Sequence, residues 1–194
     1  MTASIFRRAL GDDFDRLHPE LQHYFDPPDE VSGEGIFDEA GSRLRWLSPV
    51  WRMLAGLGLL FPEHGTGVPF SVSIVPLSPG RVATTRTLQF PDVQRVISDE
   101  THLVAGRLID VHARGRILVH MVPDVLGDGS LVMTAAATRL RVASVLLRVP
   151  TVPITLTQRW DDERQAFRIA VSLRLPVLGE VFGYRGSFRL TYPE

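Results

Sequence analysis

Between residues 4 and 25, in "SIFRRALGDDFDRLHPELQHYF", apolar side chains at Ile5, Phe6, Leu10, Phe14, Leu17, Leu21 and Phe25 recur every three or four positions, the stripe of an amphipathic helix. Gly11 and Pro19 interrupt it. The spacing therefore predicts two short helices joined near residues 11–13, with Pro19 in a first turn where its missing N–H is tolerated. The glycine-dense "VSGEGIFDEAG" at 31–41 reads as a turn followed by a short strand over 35–38. In "LRWLSPVWRMLAGLGLLFPEHGTG", Trp46, Leu47, Val50, Trp51, Leu54, Leu57, Leu60 and Phe61 crowd a helix over 46–61 that Ser48 can cap and Pro49 can begin. Its apolar face is unusually wide, which suits a helix packed on a sheet or a mobile lid that touches a membrane.

From residue 68 the period falls to two. Phe70, Val72 and Ile74 alternate with Ser71 and Ser73, and Val82, Thr84, Arg86, Leu88 and Phe90 alternate with Ala83, Thr85, Thr87 and Gln89. An extended tract over 101–122 puts Leu103, Ala105, Ile109, Val111, Ala113, Ile117, Val119 and Met121 on one parity. His102, Asp110, His112, Arg114, Arg116 and His120 occupy the other. "LGDGS" at 126–130 is a reversal, so 101–122 and 131–147 are expected to form a hairpin with room for a kink at Gly115. "ITLTQRW" and "QAFRIAVSLRL" flank the polar turn "DDER". A glycine-punctuated corner from Pro176 to Gly186 leads to a last strand over 184–192, with Tyr184, Phe188, Leu190 and Tyr192 on one face.

Seven to eight strands joined by hairpin-length links make an antiparallel sheet that tends to curl or close. The expected fold is α+β, a strongly curved antiparallel sheet or partial β-barrel covered by N-terminal helices. It is read as one domain, 1–194, with a helical 1–62 segment packed on a β-rich 68–194 segment.

Composition narrows the chemistry. The 194 residues carry a formal net charge of −1 with 22% charged residues, so neither disorder nor a polyanion-binding surface is signalled and nucleic acid is not expected as a partner. All 21 basic residues are arginine, which removes Schiff-base lysines and a phosphate-loop lysine, and the absence of cysteine removes disulfides, thiolate nucleophiles and cysteine-bound metals. "MTASIFRRALGDDFDRL" turns charged at once, without the apolar core of a signal peptide, so a bacterial-type cytoplasmic location is expected. Peripheral membrane contact stays open.

No metal site is expected, because the six histidines fall into no ligand spacing, and no cofactor is expected, because neither a phosphate loop nor a dinucleotide fingerprint follows a strand. No serine elbow supports a triad. What remains is a set of ionisable residues on otherwise apolar strands: Arg86, Asp110, His112, His120, Arg139 and Arg141. An inward Arg86 or Asp110 would need a partner or a ligand, since an unpaired buried charge is costly. Small residues at Ala83, Thr84, Thr85, Ala135, Ala136 and Ala137 would leave volume on the concave side of a curved sheet. Alternatively they would let a covering helix pack closely through Gly56 and Gly58.

"FRRALGDDFDRLHPELQHYFD" near the start and "LPVLGEVFGYRGSFRL" near the end resemble an uncharacterised bacterial family, domain of unknown function 4166, in order over most of the chain. The resemblance implies an arginine beside aromatic residues, matched by Arg86 near Phe90, and an acid after paired aliphatics, matched by Asp110 in "LID". The chain departs from that pattern in lacking a tryptophan beside Arg86 and in placing histidine and arginine around Gly115. Some members are fused to Rossmann-type dehydrogenase-like domains, and the family implies no activity.

Three functional readings follow. The first is binding of a small hydrophobic molecule, lipid-like or isoprenoid-like, in an apolar pocket, with Arg86, Asp110, Tyr184, Trp51 and Ala136 as contacts and the 46–61 helix as gate. The second is a cofactor-independent enzyme, a cyclase, isomerase or hydrolase, with Asp110 or His112 as acid or base and Arg86 stabilising developing charge. The third is a protein–protein interaction module that uses the wide apolar helix or a strand edge.

Overall fold

A computed structural model describes residues 3–27, 29–55 and 60–191. Two short helices come first, α1 (Ile5–Leu10) and α2 (Pro19–Phe25), separated by a 3-10 turn at Gly11–Arg16. Ser4 Oγ caps α1 by accepting from the Arg7 N–H, His18 Nδ1 caps α2 by accepting from the Glu20 N–H, and Pro19 stands at the first helical position. The apolar stripe foreseen for 4–25 is buried in full at Ile5, Phe14, Leu17, Leu21 and Phe25.

Eleven strands form one sheet: β1 (Val31–Gly41), β2 (His64–Ser78), β3 (Arg81–Gln89), β4 (Gln94–Val104), β5 (Arg107–His112), β6 (Ile117–Val125), β7 (Leu131–Val142), β8 (Val145–Val149), β9 (Ile154–Asp161), β10 (Ala166–Leu175) and β11 (Gly179–Thr191). The pairings β6–β7, β7–β9 and β1–β11 close ten of them into an up-and-down antiparallel barrel, and β8 is a flap on the upper part of β7. The fold is thus mostly β, closed, and larger than the seven to eight strands expected. Between β1 and β2 lies α3 (Ser48–Ala55), shorter than the expected 46–61 helix. Residues 56–59, with Gly56, Leu57 and Gly58, lie outside the described residues, and Phe61 packs as a plug rather than as a helical position.

The extra strands come from turns the alternation concealed. The tract 101–122 is divided among the end of β4, all of β5 and most of β6. Ala105 and Gly106 form a two-residue turn between the paired Val104 and Arg107, both with positive φ (48° and 75°), as a tight hairpin requires. A second turn at 113–116, with φ of 84° at Gly115, makes a full reversal where a kink was expected. Each reversal resets which parity faces in. Leu108, Asp110 and His112 line the interior, while Ile109 and Val111 face out.

β1 runs eleven residues where only 35–38 was expected, so the 1–62 segment contributes a barrel strand as well as helices. The C-terminal corner shrinks to residues 176–178, and Gly183 and Gly186 lie within β11. A Cβ on Gly186 would stand 2.2 Å from the Ile36 carbonyl oxygen, so the glycine serves the close approach of β1 beside a bulge. Tyr192 lies outside the described residues.

Along β2, β3 and β4 the outward positions are Ser71, Ser73, Thr85, Thr87 and Ser98 and the inward ones are mostly apolar, opposite to a barrel whose outer wall faces lipid. No helix among the described residues is long and apolar enough to cross a membrane. The barrel has two unlike ends. At the closed end α1 packs on β4, β5 and β6, α2 packs on β9, and the backbone N–H of His18 donates to the Gly129 carbonyl in the β6–β7 turn. At the other end, the mouth, lie the β1–β2 connection with α3 and the turns at 90–93, 113–116, 143–144 and 176–178.

Candidate functional site

A barrel of ten strands is wider than one of eight, whose interior side chains just fill it, so what lies inside depends on how far side chains reach toward the axis. In the closed-end half they reach. Tyr24, Phe37, Phe70, Phe167 and Phe188 pack on one another, with Phe37 and Phe70 stacked at 3.8 Å between ring centroids. In the mouth half the wall is Ile97, Ile117, Val119, Ile154, Val171 and Leu173, branched side chains too short to meet across the axis. They enclose a chamber of about 360 Å³, roofed on one side by Leu60, Phe182 and the Phe61 ring that packs on Phe182.

The wall has a seam. Thr134 pairs with Thr155 and Thr138 with Val149, so three residues of β7 (135–137) face five of the opposite chain (150–154). Pro150 and Pro153 have no N–H to give a ladder, and the stretch arches outward. Val149, Pro150 and Val152 line the chamber from this arch. Pro150 is itself exposed, so the chamber meets solvent here.

Where the two halves meet lies a belt of polar groups. Arg86 comes from β3, Asp99 from β4, Asp110 and His112 from β5, and Tyr184 from β11. Beneath them, Tyr24, Thr101 and Gln158 line a void of about 50 Å³ that shares Arg86, Asp99 and Asp110 with the chamber. Arg86 donates from Nη1 to Asp99 Oδ1 at 2.9 Å, both side chains being largely buried. The Thr101 hydroxyl donates to Asp110 Oδ1 at 2.8 Å. Gln158 Nε2 is buried without a partner, and the small void beside it has room for a bridging water.

Electrostatics follow from this crowding. Burial works against the Arg86 charge, but Tyr184, Asp99 and Tyr24 around it outweigh that and raise its pKa further. Burial first, and then the Asp99 charge, push the Asp110 carboxyl up to about 7 against the opposing pull of Thr101 and Arg86. Asp110 keeps some accessible surface only because it faces the hollow chamber. Burial lowers His112, and it raises Tyr24 and Tyr184. Near neutrality the belt therefore holds one cation and one anion in a pair, a carboxyl that is only partly ionised, a neutral imidazole and two phenols. Among the described residues no three His, Asp or Glu side chains are grouped to hold a metal ion.

The candidates from the sequence divide cleanly. Arg86, Asp110, His112 and Tyr184, scattered over three strands, converge on one chamber. Trp51 does not line it; it is buried beside Phe182 at 6.1 Å between rings, with its indole N–H unpartnered. Ala136 is exposed on the outer face of the seam, and Ala83 and Thr85 also face outward, so the hollow is not made by these small residues. His120 faces outward from β6, and Arg139 and Arg141 are exposed. Asp99, the partner of Arg86, was missed because residues 91–100 were assigned to no element. The signal was there in the parity of Ile97, Asp99 and Thr101 once β4 is recognised as a strand.

A protein from Bacillus subtilis (strain 168), described as uncharacterized protein YndH, is 25% identical over 206 residues, spanning 96% of this chain and 97% of that protein. A family model described as domain of unknown function (DUF4166) matches residues 17–188, which takes in α2, the whole ring of strands to the middle of β11, and every residue of the polar belt. The chain whose barrel is split into an aromatic core and a belt-floored chamber therefore belongs to the DUF4166 family.

Proposed function

We propose that the protein binds a small, largely apolar molecule in the mouth chamber, with an uncharged polar end of that molecule against the Arg86–Asp99–Asp110–Tyr184 belt. The observation that carries this is the chamber itself: about 360 Å³, walled by branched aliphatic side chains and floored by a few convergent polar groups. That combination of apolar wall and sparse polar anchors is the common form of a small-molecule site, although the volume is at the small end of the usual range.

The charge of the belt argues for an uncharged end. Arg86 is already neutralised by Asp99, and a ligand carboxylate would add a negative charge beside Asp99 and Asp110 in a poorly solvated place. A hydroxyl, ketone or ester can accept from Tyr184 or the protonated Asp110, or donate to Asp99, without that cost. The test is native mass spectrometry of the purified protein, followed by titration with a long-chain alcohol, the matching ketone and the matching fatty acid. The alcohol or ketone should bind at least about tenfold more tightly than the acid, one unpaired charge being worth more than the roughly 1.4 kcal/mol that a factor of ten represents. Equal affinity for all three, or no binding and no co-purified molecule, would sink the reading.

A second reading, catalysis in the same chamber, is favoured by one observation. A carboxyl poised to gain or lose its proton near neutrality, beside a neutral imidazole, with both facing an apolar cavity, is the arrangement of an acid and a base ready for proton transfer. Incubating whatever molecule co-purifies with wild type and with Asp110→Asn separates the two. Conversion by wild type alone establishes catalysis, and recovery of the molecule unchanged from both leaves binding.

A further inference from the structure

The mouth carries a surface that the chamber does not explain. Val177 in the β10–β11 turn is 93% exposed, Met53 and Trp46 beside α3 are 66% and 64% exposed, and Val145 and Leu146 at the β7–β8 hairpin add two more apolar tips. Solitary exposed apolar residues are ordinary, and the closed end has Leu77, Val104 and Leu126, but the mouth gathers more of them and the most exposed one. The β7–β8 hairpin adds to the anomaly. β8 is paired on one edge only and is exposed on both faces at Leu146 and Leu147, an arrangement that natural sheets usually cover or charge.

Exposed charge is also unevenly shared between the ends. Arg52, Arg114, Arg116, Arg141, Arg148 and Arg174 are exposed at the mouth, where Asp92 is an exposed acid, and none of these arginines forms a salt bridge among the described residues. The closed end exposes Asp12, Asp29, Asp162 and Glu163 beside the fewer unpaired arginines Arg8, Arg107 and Arg159. The formal net charge of −1 therefore conceals a barrel with a basic mouth and an acidic base.

We propose that the mouth is a docking surface for an anionic lipid bilayer, with the apolar tips entering the headgroup region and the unpaired arginines held by lipid phosphates. Apolar tips ringed by unpaired cations are complementary to such a surface in both respects, since each Lys or Arg near an anionic leaflet contributes about 1 kcal/mol and an aromatic ring such as Trp46 suits the interface. The acidic closed end would be repelled, so the barrel stands mouth-down, with the chamber facing the hydrocarbon. This goes beyond the chamber reading, and vesicle binding can be measured with no chamber ligand present, so either may fail alone.

The experiment is co-sedimentation of the full chain with vesicles of phosphatidylcholine alone and of an equal mixture of phosphatidylcholine and phosphatidylglycerol. Wild type should pellet with the mixed vesicles and not with the neutral ones, and added salt should release it. Val145, Leu146 and Arg148 lie on β8, outside the closed ring, Arg141 is an exposed side chain at the mouth end of β7, and circular dichroism checks that each double variant is folded. Val145→Asp with Leu146→Asp should abolish pelleting. Arg141→Glu with Arg148→Glu should weaken it at least about thirtyfold, since two lipid-facing cations are lost and two anions take their place. Three outcomes overturn the proposal: no pelleting with either vesicle, pelleting that both folded variants retain in full, or a wild-type dimer that binds no vesicle and that the flap variants dissolve.

Discussion

The two halves of the barrel are built on the same ten strands yet differ in what fills them. In the closed half Phe70, Phe37, Phe188 and Phe167 on the successive strands β2, β1, β11 and β10 pack on one another and on Tyr24 from α2, and aromatic rings fill the interior. In the mouth half Phe61, Phe90 and Phe182 pack together on the side of the β1–β2 connection, while valine, isoleucine and leucine take the inward positions of β4, β6, β9 and β10, and the space they surround is hollow. Strand number sets the width of the cylinder, and side-chain reach decides whether that width becomes core or cavity. The polar belt sits at the boundary, where Arg86, Asp99 and Asp110 can find partners on one side and a chamber on the other. A charged belt inside a solid core would be poorly repaid, whereas at a chamber floor it can meet a ligand.

The comparison can be broken most severely at its packed side. Gly186→Val puts a side chain into the Ile36 backbone, and a loss of more than about 4 kcal/mol is expected, seen as a chain without cooperative thermal unfolding by circular dichroism. Retained stability there would mean that β1 and β11 can separate and that the closed half is not rigid. Phe70→Ala removes half of the tightest aromatic stack and should cost about 3–5 kcal/mol in urea denaturation.

The boundary is tested next. Asp99→Ala leaves Arg86 buried without its carboxylate, and a loss of about 3–5 kcal/mol is expected by the same measurement. Asp110 gives a pH signature of known sign. Its pKa is raised in the folded protein, so its contribution to stability is complete below the ordinary carboxylate range and is lost as pH rises through about 7. Asp110→Asn does not titrate. Its stability relative to wild type should climb by a few kcal/mol, as an order of magnitude, between about pH 4 and pH 8 and then level off. A flat difference across that range would show that Asp110 is solvated and ionised throughout.

The smallest effect belongs to the hollow side. Val171→Ala lines the chamber with one fewer branch and should cost only about 1 kcal/mol, because the lost methyl groups face space rather than packed neighbours. If that cost instead matches the one at Phe70, the chamber is not a cavity in solution.

The strands were legible wherever alternation ran without interruption, as at Phe70–Ile74 and Phe167–Leu175, and the two short helices from the apolar stripe and its breaks at Gly11 and Pro19. Arg86 and Asp110 stood out as charges on apolar strands. The tract 101–122 misled because Ala105 and Ala113 sit at left-handed turn positions where glycine or asparagine would ordinarily announce a reversal, so two hairpins read as one strand. Trp51 and Ala136 misled for a different reason, since neither size nor hydrophobicity says which side of a wall a residue occupies.

By itself the chain determined a β-rich fold with an apolar inside, the exclusion of lysine and cysteine chemistry, and membership of a family through its two end motifs, because period, composition and motif are local properties. Only the tertiary structure decided that the sheet closes at ten strands, that Arg86, Asp99, Asp110, His112 and Tyr184 share one floor, and that exposed apolar tips and unpaired arginines are more numerous at the mouth than at the closed end. These depend on register and closure, which are set by pairings between residues as far apart as Ser32 and Thr191.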